Sequence, residues 1–493
     1  MKNIFKICIV LLALSGRIYS QNWVWVKPQG INTTNPLTGN TRLTSSGDLV
    51  TFLAEPGGSH LQFADANGNV LWSQFFSNLT INDVCTDASN SIFFAGTYTG
   101  NITIGANTFI SQGGYDALVG EFNSSGTLIK SKSFGTSSHE KANSIALSNN
   151  QLYVSGSFIN SQTINGVSLT GNNTNYNTYV LKLDMNLVAQ TGIASASQGS
   201  EGIEVGADQS GSVYLLGNSS YTVSLGTYSV YIAADGQYIA KLTANLGVVN
   251  LVVLNTHSIN GFYKPYMYFD NSANVTLTHV TGGGGGADNH IRIEKYDPAI
   301  NQLWYKDVLV NTFDFVDQDN MDNIYALGGY FYGMGPMYFR AIKINSAGSS
   351  VAQLISDTTI KHSVLGLAAK SNDDFYFTGN CDTGSNLDGY TCSPSNSVFM
   401  ARFSAAATAI KKPNLNRYFS ISPNPAYGTL IVKTPDDASD YTFSIRNILG
   451  QTVYTSPMKS GTKEIDVSSQ PKGIYFVELR SGEEKKVERI VFQ

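Results

Sequence analysis

Short, mostly apolar runs recur along most of this chain, each entered from a polar turn. They are Leu49-Val50-Thr51-Phe52, Ile92-Phe93-Phe94-Ala95, Leu152-Tyr153-Val154-Ser155, Val213-Tyr214-Leu215-Leu216, Val275-Thr276-Leu277-Thr278, Ile324-Tyr325-Ala326-Leu327 and Phe375-Tyr376-Phe377-Thr378. Their starts lie 43, 60, 61, 62, 49 and 51 residues apart, so seven diverged copies of one unit follow each other. Runs this short, rich in β-branched and aromatic residues, predict strands. The clearest copy, Ser91 to Gly135, reads as three strands joined by two hairpins.

Five residues before each run lies a turn, and four of the seven open with aspartate: Asp87, Asp208, Asp270 and Asp319. An Asp there bonds its own backbone two residues on and nucleates the reversal. Asp317, Asp319 and Asp322 in DQDNMDN also admit a calcium reading, but the glycine and distal glutamate of a helix-loop-helix site are missing. After the run come a glycine in most copies, a variable hairpin and a third strand such as Ala117 to Phe122 or Tyr238 to Leu242. A fourth strand often carries an aromatic, as in Leu71-Trp72 and Leu303-Trp304. Seven four-stranded units, none able to bury both faces alone, predict an all-β fold, a radial propeller over 21–410. These residues resemble the bacterial seven-bladed β-propeller repeat family, best between Asp87 and Gly135, and the resemblance implies architecture rather than activity.

Trp23-Val24-Trp25-Val26-Lys27 looks like a fourth strand without its first three, since Trp25 matches Trp72 and Trp304. Lending it to the last unit would close the ring and remove two exposed edges. Thr408 to Lys411 is the alternative closing strand. Composition shifts at Lys411-Lys412-Pro413-Asn414, which predicts a linker over 411–417. Alternating strands over 418–493 then predict a small antiparallel β-sandwich. Its motifs, SPNPA, IRNILGQTVY, PKGIYFVEL and KKVERIVFQ, closely resemble the type A C-terminal sorting domain of the type IX secretion system. That resemblance implies a Bacteroidota exporter as partner, passage across the outer membrane, and removal of the module near the linker. An ordinary C-terminal binding sandwich is the competing reading.

Lys2 and Lys6, the apolar run Ile7 to Leu14 and small Ser20 before Gln21 read as a signal peptide over 1–20. No later segment is long and apolar enough for a membrane span. The net charge of -5 carries no basic stripe, which excludes nucleic acid as a partner. Cys381 and Cys392 flank one short loop, and an oxidising compartment would permit a disulfide there. Cys85, in an apolar strand with no neighbouring His, reads as a buried free thiol.

No metal-ligand spacing or nucleophile elbow appears, so the sequence points to no cofactor, no metal and no catalytic residue. The five glycines Gly282 to Gly286 lack the flanking strand, helix and lysine of a phosphate cradle and read as a hairpin tip. Nine residues before each strand start lie Asn40, Asp83, Asn143, Glu204, Tyr266, Phe315 and Gly366. As a rim around the central channel these would suit a sugar or a peptide; as strand-end polar groups they would instead bond neighbouring units. The expectation is a secreted or surface-attached binding protein for a polysaccharide or a protein. A secreted hydrolase or lyase is the alternative, favoured if Asp83, Glu204 and Asp314 converge, and a structural envelope component is a third.

Overall fold

The computed structural model describes residues 23–493 apart from 33–37, 173, 196, 198, 233–235, 255–264, 282–288, 311–314, 332–336, 356–363, 372–373, 382–385, 388–389, 392–396, 405–419, 434–439, 460 and 482–483. The signal peptide, the Gly282 to Gly286 run, Asp314, Cys392, the linker and the alternative closing strand therefore lie outside the described residues. No helix among the described residues is long and apolar enough to cross a membrane. The chain divides into two compact units, Met1–Ala407 and Thr408–Gln493.

The larger unit holds seven four-stranded antiparallel sheets among its described residues. In six of them consecutive strands run outward from the innermost, as in Leu79–Thr86, Ile92–Tyr98, Asp116–Phe122 and Leu128–Phe134. The seventh takes its outermost strand from the N-terminus: Trp23–Asn32 pairs antiparallel with Ser397–Ser404. Each innermost strand lies against its two neighbours, and Val364–Ser371 of the last sheet lies against Thr38–Leu43 of the first. The ring is closed, and the larger unit is a β-propeller.

The repeated residues have physical reasons. Sheets covered on both faces need no polar alternation, so second strands such as Ile92–Tyr98 are buried almost end to end. Outer strands alternate, as Val70–Ser77 does. The strand tyrosines pair across the ladder with a cation: Tyr214 with Lys241, Tyr325 with Lys343 and Tyr376 with Arg402, each charge 5.4 to 5.7 Å from the ring centroid. The fourth-strand tryptophans hold one sheet to the next. Trp72 Nε1 donates to the Ser124 carbonyl at 2.8 Å and its ring covers Gly126, whose φ of +80° also favours glycine. Trp304 does the same at Ser346 and Gly348. Trp25 covers Gly68 in the same way, which makes the N-terminal strand a true fourth strand.

Aspartate and asparagine make the turns at one end of the ring. Asp87, Asp208, Asp270 and Asp319 each accept backbone N–H groups from the residues following them. The turns between third and fourth strands repeat the device at Asp65, Asn123, Asp184, Asp297 and Asn345. Because strands alternate in direction, both sets fall at the same end. The opposite end carries the connections between second and third strands, including the small hairpins 101–110, 162–169, 223–230 and 386–391.

The smaller unit pairs a three-stranded sheet (Ser420–Ser422, Thr429–Lys433, Thr462–Asp466) with a four-stranded one (Thr452–Lys459, Asp440–Asn447, Gly473–Ser481, Glu484–Phe492). Leu430, Val432, Phe443, Ile445, Val477 and Ile490 fill its core. Asn424 of the SPNPA motif donates to the Arg489 carbonyl and accepts from Val491 N–H, stapling the motif to the last strand.

Candidate functional site

Strand register sorts the inner strands into two tiers around the axis. The first tier comprises Asn40, Asp83, Ser144, Glu204, Tyr266, Phe315 and Gly366, each opposite the fourth residue of the strand starts counted above. The second, two residues further along, comprises Arg42, Cys85, Ala146, Gly206, Tyr268, Asp317 and Ala368. Counting along the sequence places Asn143 in the first tier; in the structure Ser144 stands there. The Asn149-Asn150 turn, both residues at positive φ, is one residue shorter than the turn before Ile92, so Ser144 takes the place opposite Ser155 and Asn143 becomes the extra residue of a β-bulge between Ala142 and Ser144. The same bulge occurs between Ile81 and Asp83.

These residues lie within the inner strands, and Asn40, Asp83, Glu204 and Tyr266 are buried. Their polar atoms join one sheet to the next. Asp83 accepts from Ser144 Oγ at 2.7 Å and from Ile145 N–H at 3.3 Å. Ser144 Oγ accepts in turn from Val205 N–H. Asn40 Oδ1 accepts from Leu367 N–H, and the bulged Asn82 and Asn143 donate to the carbonyls of Ala142 and Gly202.

One cation organises the middle. Arg42, from the first sheet, is 3.4 Å from Asp83 Oδ1 of the second. Its guanidinium lies 5.8 Å from the ring centroid of Tyr266 on the fifth sheet, so it reaches across the axis. Asp83, Glu204 and Asp317 all act on its charge. Burial pushes Asp317 up to about 6, although Arg42 and the Ala369 N–H, 2.7 Å away, pull the other way. The Tyr268 hydroxyl donates to the Val316 carbonyl. Two of the three acids expected to converge, Asp83 and Glu204, thus share a partner with Asp317. Arg42 and Tyr268 had no sequence signal as site residues, and Asp317 was marked only as a calcium candidate, because a two-residue offset between strands of different sheets appears only once register is known.

Asp317 and Asp319, candidates for calcium on spacing, take separate roles, one toward Ala369 and one inside its own turn. Cys85 is free and half-buried, and burial raises its thiol, with Asp83 adding to the effect. Cys381 is disulfide-bonded, its partner falling outside the described residues.

At the hairpin end, a second group crosses three sheets. Tyr115 and Tyr176 occupy the same place before the third strands of the second and third sheets. Each carbonyl accepts from the first N–H of the next inner strand, that of Glu140 or Ser200. The His139 ring lies between them, 5.2 Å from Tyr115 and 6.4 Å from Tyr176. Lys141 Nζ stands 4.7 Å from the Tyr176 centroid and 3.2 Å from Glu201 Oε1.

Residues 420–493 match the family described as the secretion system C-terminal sorting domain. The C-terminal unit is a sorting domain. Through it the propeller is exported by type IX secretion to the cell surface or the extracellular space, and the tail engages that machinery. No curated protein matches the chain. Among solved structures it is similar to the Dos1 propeller (11% identity, 77% of this chain and 95% of that one, TM-score 0.39). It is also similar to the β-propeller domain of the Trilobed protease from Pyrococcus furiosus (10%, 70% and 91%, TM-score 0.35). A third is the intramolecular trans-sialidase from Ruminococcus gnavus (8%, 80% and 98%, TM-score 0.36). Likeness this distant carries no inference about activity.

Proposed function

We propose that this protein is a non-catalytic binding module, made with a signal peptide in a Bacteroidota cell and displayed outside it by its sorting domain. Its ligand is a polysaccharide or a surface protein. One observation carries this reading: the polar groups of the inner strands are engaged between sheets, whereas the hairpin end leaves Tyr115, Tyr221 and Tyr231 exposed. A nucleophile or general base needs a carboxylate oxygen open to substrate, and both oxygens of Asp83 accept hydrogen bonds. A disulfide between Cys381 and Cys392 would brace the connection in the last sheet at that same end.

The rival, a hydrolase or lyase, draws on the three acids around Arg42 and on Asp317 titrating near 6. The test is retention of the mature chain on a panel of polysaccharides and surface-protein extracts, with released reducing ends and unsaturated products scored together. Retention without release is expected. Release that disappears in Asp317→Asn and Glu204→Gln would replace binding by catalysis.

A further inference from the structure

Resting on the binding reading, we infer that the hairpin end of the second to fourth sheets is a subsite for a neutral glycan chain. The rings of Tyr115, His139 and Tyr176 form a row whose successive members are 5.2 and 6.4 Å apart. The row is built in. An added Cβ at Gly114 would fall 2.1 Å from the His139 ring, so only glycine lets that ring lie flat against the backbone. Tyr115 and His139 are further tied by a β-bridge. In the fourth sheet Gly199 takes the place of His139, just ahead of the inner strand, and the exposed Tyr221 ring approaches it. The aromatic strip therefore continues past the third sheet.

The chemistry selects the occupant. Sugar rings present C–H groups on their faces and hydroxyls at their edges, so they stack on aromatic faces and hydrogen-bond at the rim. The Lys141 and Glu201 charges are spent on each other, 3.2 Å apart, which leaves the strip with no excess of either sign. An acidic polymer would need unpaired cations, which the strip lacks. Beneath it, Asp116 and Glu140 are buried, and Glu140 is held by Thr136 N–H and Oγ1 at 2.7 Å, so no carboxylate faces the chain for cleavage.

Affinity electrophoresis of the mature full chain through gels containing neutral glucans, mannans and xylans, and in parallel alginate and pectate, tests this. At least one neutral polymer is expected to retard the wild type. Tyr115→Ala, Tyr176→Ala and Tyr221→Ala should each raise its Kd at least ten-fold, and Tyr305→Ala, exposed on an outer strand of the fifth sheet, should leave it unchanged. Thermal melting of every variant checks that the ring is intact, and Tyr115→Phe and Tyr176→Phe, which keep the stacking face, should restore most of the affinity. Retardation by a neutral polymer that the three alanine variants preserve overturns the subsite and leaves the binding reading in place. Retardation only by the acidic polymers, or by no polysaccharide, also overturns it. In the last case capture of a surface protein would still support the binding reading, and its absence would end both.

Discussion

Asp317 shows how a single residue's chemistry depends on strand register. In the sequence it opens an acidic run and suggests a cation; in the fold it faces Arg42 and the next inner strand. Its pKa is raised to about 6 from an ordinary value near 3.8, so the folded state binds the proton more tightly than the unfolded chain. Stability from this group is therefore highest below about pH 4 and is lost as pH rises toward 6. Asp317→Asn removes that loss while keeping an acceptor for Ala369 N–H. Thermal unfolding from pH 4 to 8 should show the variant gaining on the wild type across this window, by about 1–2 kcal/mol at pH 8. A wild-type-minus-variant difference that stays flat with pH would show that Asp317 is solvated. The Asn143 position makes the complementary point. The Asn149-Asn150 turn, one residue shorter than the turn before Ile92, moves Ser144 into the tier, and the β-bulge beyond it leaves Asn143 as the extra residue, a fit between two strands that counting along one chain does not register.

At the scale of the element, the strands and turns were legible because their patterns are local. Four-residue runs, Asx turns and the tryptophan of the fourth strand each act within a few residues or on one neighbouring turn. The tryptophan contact can be isolated by two glycines. Gly126 and Gly105 both have positive φ, +80° and +60°, but only Gly126 faces an indole, its added Cβ falling 2.8 Å from Trp72. Gly105→Ala should cost about 1 kcal/mol from backbone strain alone, and Gly126→Ala about 2–4 kcal/mol because Trp72 must also move. Urea denaturation compares them. Equal losses would mean that seating the indole adds nothing to the joint between sheets. The same contact at Gly68 explains why the N-terminal segment, remote in sequence, closes the last sheet.

For the whole molecule, export and the proposed recognition reside in separate units. The sorting domain has its own core, and its SPNPA and last-strand motifs meet each other inside it. Deleting residues 420–493 should leave a folded propeller inside the producing cell, absent from surface and medium alike, as cell fractionation and protease protection would show. Appearance of the truncated chain outside the cell would assign export to another segment.

Of the two units, the sorting domain was the more completely readable, since its motifs recur nearly without gaps over 420–493. The repeat count, the polar turns and the closing strand followed from periodicity and from Trp25. The functional geometry did not. Arg42 meets Asp83 of the next sheet and Tyr266 of the fifth, and His139 meets Tyr115 of the sheet before it and Tyr176 of its own, through contacts between strands far apart along the chain. Periodicity reports which face of its own strand a residue takes. Only the closed ring decides which side chains from different sheets share a place, because that depends on register, bulges and curvature summed around the whole circle.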